Sequence, residues 1–141
     1  MANMTGTDLT ILLAEDNPGD VFLIRRALTE AQLSFELLCA KDGEAAIAYV
    51  TEAASGQRRI DLLLLDLNLP RRGGIEVLSH LRTFPALAAV PAIMLTSSDS
   101  PQDRDSCLEL GANRYFRKPS DLDQYMEIGT LARQLTGFSA G

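Results

Sequence analysis

Long apolar runs are absent from this chain. Runs such as Leu62 to Leu65, cut off by Asp66, are far too short to span a bilayer. The opening residues, Met-Ala-Asn-Met-Thr-Gly-Thr-Asp, have neither the basic nor the apolar segment of a signal peptide. Basic charge is also scarce: 13 Lys and Arg stand against 19 Asp and Glu, a net charge of −6 with no basic tract. Such a balance repels phosphate backbones and argues against nucleic-acid binding. Histidine occurs once, at His80, and the two cysteines, Cys39 and Cys107, have no metal-ligand or redox spacing. A zinc site is thereby excluded, and both cysteines, set in apolar patterns, are expected to be buried free thiols. These absences together indicate a cytoplasmic protein with no membrane segment.

What is present is an ordinary globular composition, 46% apolar and 23% charged over 141 residues, enough for one domain with a substantial core. Short apolar runs alternate with stretches of helical periodicity. Thr10 to Ala14, Phe35 to Ala40, Ile60 to Leu65, Val90 to Leu95 and Asn113 to Arg117 read as strands. Helical faces follow each: Leu23, Ile24, Ala27 and Leu28; Ala46, Ile47, Val50 and Ala53; Ile75, Leu78 and Leu81; Cys107, Leu108 and Leu110. The last, opened by Pro119, carries Leu122, Tyr125, Met126, Ile128, Leu131 and Leu135. Five β-then-α units imply one parallel sheet covered by helices on both faces. The expected division is an extension at 1–8, a domain at 9–136 and a tail at 137–141, with no output domain.

In such sheets ligands bind outside the carboxyl ends of the strands. The polar residues expected there are Glu15 and Asp16 after the first strand, Asp66 after the third, Thr96 after the fourth and Lys118 after the fifth. Three carboxylates brought together repel one another unless a cation joins them. Oxygen ligands without His or Cys favour a hard ion such as Mg²⁺. Asp66 is then a carboxylate nucleophile able to form an acyl phosphate, with Lys118 and Thr96 meeting phosphoryl oxygens.

Four segments, ILLAEDNPGD, DLLLLDLNLP, PAIMLTSS and YFRKPSDLDQY, resemble the receiver domain of two-component response regulators. The resemblance runs from about Leu9 to Leu131, with Asp66 to Thr96 spaced 30 residues and Asp66 to Lys118 spaced 52. It implies a flavodoxin-like (βα)5 fold, α/β and doubly wound, with strand order 2-1-3-4-5. It also implies Mg²⁺, with Mn²⁺ as an alternative, held by Asp16 and Asp66 with Glu15 and the backbone carbonyl of Asn68. Asp66 would be phosphorylated by a sensor histidine kinase or a phosphotransfer protein, and Thr96 and Tyr115 would form a switch pair. Within the family, EDNPGDVFLIRRAL, LNLPRRGG and KPSDLDQY look most like small stand-alone regulators that partner bacterial phytochromes. The sequence departs from the family at Gly73, where an acidic or amide residue often stands, and at Ser97 and Ser98. Asn68 and Ser98 occupy positions that tune phosphoryl lifetime in the family.

Each residue also has a plain structural reading. Asp66 alone could cap an exit loop, Thr96 could be an ordinary strand residue and Tyr115 plain packing. Lys118 at the start of a helix would oppose the helix dipole, which favours a functional role. Val21 and Phe22 lie off the main helical stripe as core edge or, with Pro119, as a docking patch for the phosphodonor. Arg71 and Arg72 are expected to be solvated beside the acidic pocket. The message would leave through contacts with a downstream protein, with a homodimer as one route. The competing enzyme reading, a haloacid-dehalogenase-like phosphatase, wants an Asp-x-Asp pair on an early strand, whereas Asp66 stands in Asp-Leu-Asn on the third. An inert interaction module is opposed by the complete acidic cluster and lysine. A dinucleotide-binding domain is excluded because the first turn lacks the glycine pattern.

Overall fold

The computed structural model describes residues 8–98 and 100–138; the expected extension up to residue 7 and the tail beyond 138 lie outside them. Five strands form one parallel sheet: β1 Leu9–Ala14, β2 Phe35–Ala40, β3 Leu62–Asp66, β4 Ala92–Thr96 and β5 Arg114–Arg117. Their order is β2-β1-β3-β4-β5, as the sequence led us to expect. The crossovers are α1 Pro18–Glu30, α2 Gly43–Ala54, α3 Gly74–Thr83 and α4 Pro101–Glu109. The chain closes with α5 Leu122–Tyr125 and α6 Glu127–Thr136.

The central strands alternate strictly between two buried cores, as the pleat of a sheet covered on both sides requires. Leu12, Leu63, Leu65 and Met94 face the core that α2 and α3 complete through Val50, Val77, Leu78 and Leu81. Ile11, Leu13, Leu62, Leu64, Ile93 and Leu95 face the other, closed by Ile24 and Leu28 of α1 and Ile128 of α6. Helix starts are fixed locally: Asn17, Asp42 and Ser100 each accept a hydrogen bond from the backbone N–H three residues on. No described helix is long and apolar enough to cross a membrane.

Three expectations need correction. Pro119 does not open the last helix; the helix begins at Leu122 under an Asp121 cap and is interrupted at Met126. Lys118 consequently lies in a connecting segment, so it does not oppose a helix dipole. Cys39 is exposed, because β2 is an edge strand only partly covered by helices; Cys107 is buried, and both are free thiols.

Candidate functional site

The register places the polar strand ends side by side. Asp66 pairs with Leu95, one residue before Thr96, and Thr96 pairs with Arg117, one residue before Lys118. The backbone closes the edge further, since Lys118 N–H donates to Thr96 O at 2.7 Å and Leu67 N–H to Leu95 O at 2.9 Å. Gly74 lets the loop after β3 approach: a Cβ there would come within 2.5 Å of the Asp66 carbonyl oxygen. Glu15, Asp66 and Thr96 are buried polar residues, a costly set unless their groups meet partners.

The partner is Lys118. Its ammonium lies 2.7 Å from Glu15 Oε1, 2.9 Å from Asp20 Oδ2 and 3.3 Å from Asp66 Oδ2. Burial works against the lysine's charge, but the hydrogen bonds to Glu15 and Asp20 outweigh it and hold its pKa above the usual range. Glu15 is pushed up to about 7, chiefly by burial, with Lys118 pulling the other way and Asp66 adding to the rise. Its Oε1 is buried, and the charge that faces it there is the Lys118 ammonium. Glu15 Oε2 accepts from the Asn17 amide at 3.2 Å.

Glu15, Asp16 and Asp66 each offer a carboxylate oxygen within 4.8 Å of the others. Two are buried and Asp16 is exposed, so the group opens to solvent on one side. A mostly buried, all-carboxylate group open to solvent on one side fits a hard divalent cation with oxygen preference. Asn68 N–H donates to Asp66 Oδ1 at 3.0 Å, which fixes the carboxylate and holds the Asn68 backbone next to it. Thr96 Oγ1 accepts from Ser98 N–H at 3.0 Å, and the half-buried Tyr115 hydroxyl donates to Ser98 O at 3.2 Å. Thr96 and Tyr115 are therefore linked through one loop residue.

The remaining candidates divide. Val21 is half-buried and packs against the α1-side core. Phe22 is 63% exposed beside Arg25 and Arg26. Pro119 is half-buried and lines an open groove of 360 Å³ together with Arg117, Lys118 and Gln124. Arg71 and Arg72 are exposed but engaged: Arg71 reaches Asp42 and Glu44, and Arg72 reaches Glu76. Two residues of the site escaped the sequence reading, Asp20 and Tyr125. Asp20 carried a signal, being a third acid four residues after Asp16. Tyr125 carried none, since helical periodicity reports its buried ring and not the direction of its hydroxyl.

A doubly wound parallel sheet with a carboxylate group and a half-buried lysine at its carboxyl edge is the architecture of a signalling receiver. Residues 11–128 match the model of the response regulator receiver domain, and the chain belongs to that family of two-component signalling proteins. It is similar to the response regulator Rcp1 of Synechocystis sp., 34% identical over 130 residues that cover 91% of this chain and 88% of Rcp1. The manganese-bound form of Rcp1 superposes with a TM-score of 0.81 at 31% identity, covering 94% and 97% of the two chains. Phosphorylated RcpA, a cyanobacterial phytochrome response regulator, gives a TM-score of 0.82 at 32% identity over 96% and 98%. The bacteriophytochrome response regulator AtBRR gives 0.74 at 36% over 96% and 97%.

Proposed function

We propose that Asp66 is the phosphoacceptor of this receiver domain and that Lys118 and Thr96 hold the transferred group. The observation that carries the reading is the half-buried Lys118 ammonium 3.3 Å from Asp66 Oδ2, on the strand end next to Thr96. The donor is a phosphohistidine of a sensor kinase or a phosphotransfer protein. An Asp66 carboxylate oxygen forms the new P–O bond as the P–N bond breaks, and the leaving imidazole takes up a proton. The ammonium supplies a fixed positive charge and the threonine hydroxyl a hydrogen bond to phosphoryl oxygens, the positioning that phosphoryl transfer requires. Glu15, Asp16, Asp66 and the Asn68 carbonyl would hold Mg²⁺, with Mn²⁺ as a substitute. When bound, such an ion offsets charge on the phosphoryl oxygens.

The Ser98 backbone, which accepts from Tyr115 and donates to Thr96, gives a route by which a change at Thr96 reaches the α4–β5 face. The signal then passes to a protein target or to a second copy of the chain. Likeness to phytochrome response regulators supports a bacteriophytochrome-type kinase in the cytoplasm as the source. The exposed Phe22 and the groove at Pro119 flank the site and suit the docking of such a donor.

The test is beryllofluoride binding in the presence of Mg²⁺, followed by fluorine NMR and tyrosine fluorescence. Saturable binding is expected for the wild type and none for Asp66→Asn. Equal binding by the Asp66→Asn protein would remove Asp66 from the role, and steady turnover of phosphate monoesters would favour a phosphatase instead.

A further inference from the structure

We infer that Asp20 and Tyr125 form a positioning pair for Lys118, fixing the place from which its ammonium meets a phosphoryl group on Asp66. The inference rests on the reading of Asp66 as phosphoacceptor and adds two residues to its machinery.

The lysine needs an external anchor. Its backbone is tied by the N–H bond to Thr96 O, but the charge sits at the end of a flexible four-carbon stem. An ammonium has three N–H donors, and three carboxylates surround this one. Two of the three, Glu15 and Asp66, belong to the group able to share a cation. Asp20 does not, and so it is the carboxylate left to the ammonium alone.

Asp20 is itself held on every side that counts. It lies in the first turn of α1, where its N–H donates to the Asn17 side chain at 3.0 Å. Oδ2 faces Lys118 at 2.9 Å, and Oδ1 accepts from the Tyr125 hydroxyl at 2.9 Å. Tyr125 is 4% exposed, and its ring is part of the core that α1 and α6 close. The phenol stays protonated and able to donate, because burial first and the Asp20 carboxylate second hold its pKa far above neutrality. A polar chain thus runs from α5 through α1 to the lysine. Glu15 fixes the ammonium from the β1 side, and Asp20 with Tyr125 fixes it from the α1 side.

Tyr125→Phe tests the pair with little disturbance, since it keeps the buried ring and changes no charge. At saturating Mg²⁺, beryllofluoride affinity is expected to fall about tenfold, the scale of one hydrogen bond to a charged group. Mg²⁺ affinity, which depends on other carboxylates, should stay within about twofold, a margin too small to count as a lost contact. In an Asp20→Ala background the Tyr125→Phe change should have no further effect, because its hydroxyl would have nothing to hold. A readout without metal is exchange of the Lys118 ammonium protons by nitrogen NMR, expected to speed up in Tyr125→Phe. Unchanged beryllofluoride affinity would overturn the inference. An equal loss in the Asp20→Ala background would do so too, making Tyr125 a packing residue only. Parallel loss of Mg²⁺ and beryllofluoride would point to general loosening and also overturn it. Wild-type binding separates the two readings: if it fails, the Asp66 assignment falls with this one; if it holds, only this one is at stake.

Discussion

The two halves of the sheet, one around β2, β1 and β3 and the other around β4 and β5, are anchored very differently. Helices α1, α2 and α3 bury Ile24, Ala27 and Leu28, then Ala46, Val50 and Ala53, then Val77, Leu78 and Leu81. Helix α4 buries only Cys107 and leaves Leu108 41% exposed, while β5 has no fully buried residue and α5 is a single turn. The pocket straddles this divide. Its carboxylates Glu15, Asp16 and Asp66 come from the ends of β1 and β3 in the well-packed half, whereas Thr96 and Lys118 lead into the lightly packed half. Phosphorylation of Asp66, as proposed, would therefore pull between a fixed frame and a face with little to hold it, and the face is the part able to respond.

The strongest way to break that comparison is to remove side chains from each half. Leu64→Ala, in a fully buried strand between Leu13 and Ile93, should cost about 3 kcal/mol of stability. Leu108→Ala on α4 should cost less than about 0.5 kcal/mol. Urea denaturation measures both. Similar losses would mean that the halves are equally anchored and that the contrast is only one of shape.

A smaller effect sharpens the electrostatic side of the frame. Glu15 is held at about 7 in the folded protein, against its ordinary 4.5. Across that window the folded chain keeps a proton that the unfolded chain releases, so stability falls as pH rises from about 4.5 to 7 and levels off above. A loss of about 2 kcal/mol is expected in chelator, somewhat less than the full shift implies, because a buried carboxylate relaxes its surroundings. Saturating Mg²⁺ should flatten the profile by binding the ionised, folded form. A flat profile in chelator would show that Lys118 already compensates Glu15 in full.

The same contrast governed what could be read from the sequence. The well-packed strands announce themselves: Leu62 to Leu65 is continuously apolar because both faces are covered, whereas the strand order was implied only by the resemblance to receiver domains. Asp66, Thr96 and Lys118 were legible because each directly ends or follows a strand, so topology alone brings them together. Cys39 misled because an apolar pattern does not say which strand lies at the edge. The last helix misled because Pro119 suits a helix start, while the Asp121 cap that wins lies two residues on. Asp20 and Tyr125 were missed because their meeting joins residues 105 apart through side-chain direction, which no local pattern encodes.

The finest probe of the lightly packed face is the hydroxyl of Tyr115. It donates to Ser98 O at 3.2 Å, and Ser98 in turn holds Thr96 through its N–H and Asp103 through its hydroxyl. Tyr115→Phe keeps the half-buried ring and removes that tie. A net cost of about 0.5–1 kcal/mol is expected, at the scale of one neutral hydrogen bond to a carbonyl that water can still reach. More telling is where the loss should be felt. The Ser98 and Ser100 amides, held by Thr96 Oγ1 and by the Ser98 hydroxyl, should exchange faster, while those of Leu13 and Leu64 should keep their wild-type rates. Equal acceleration in β1 and β3 would show that the frame and the face open as one unit, and a signal begun at Asp66 would then have to spread through the whole sheet rather than along one side of it.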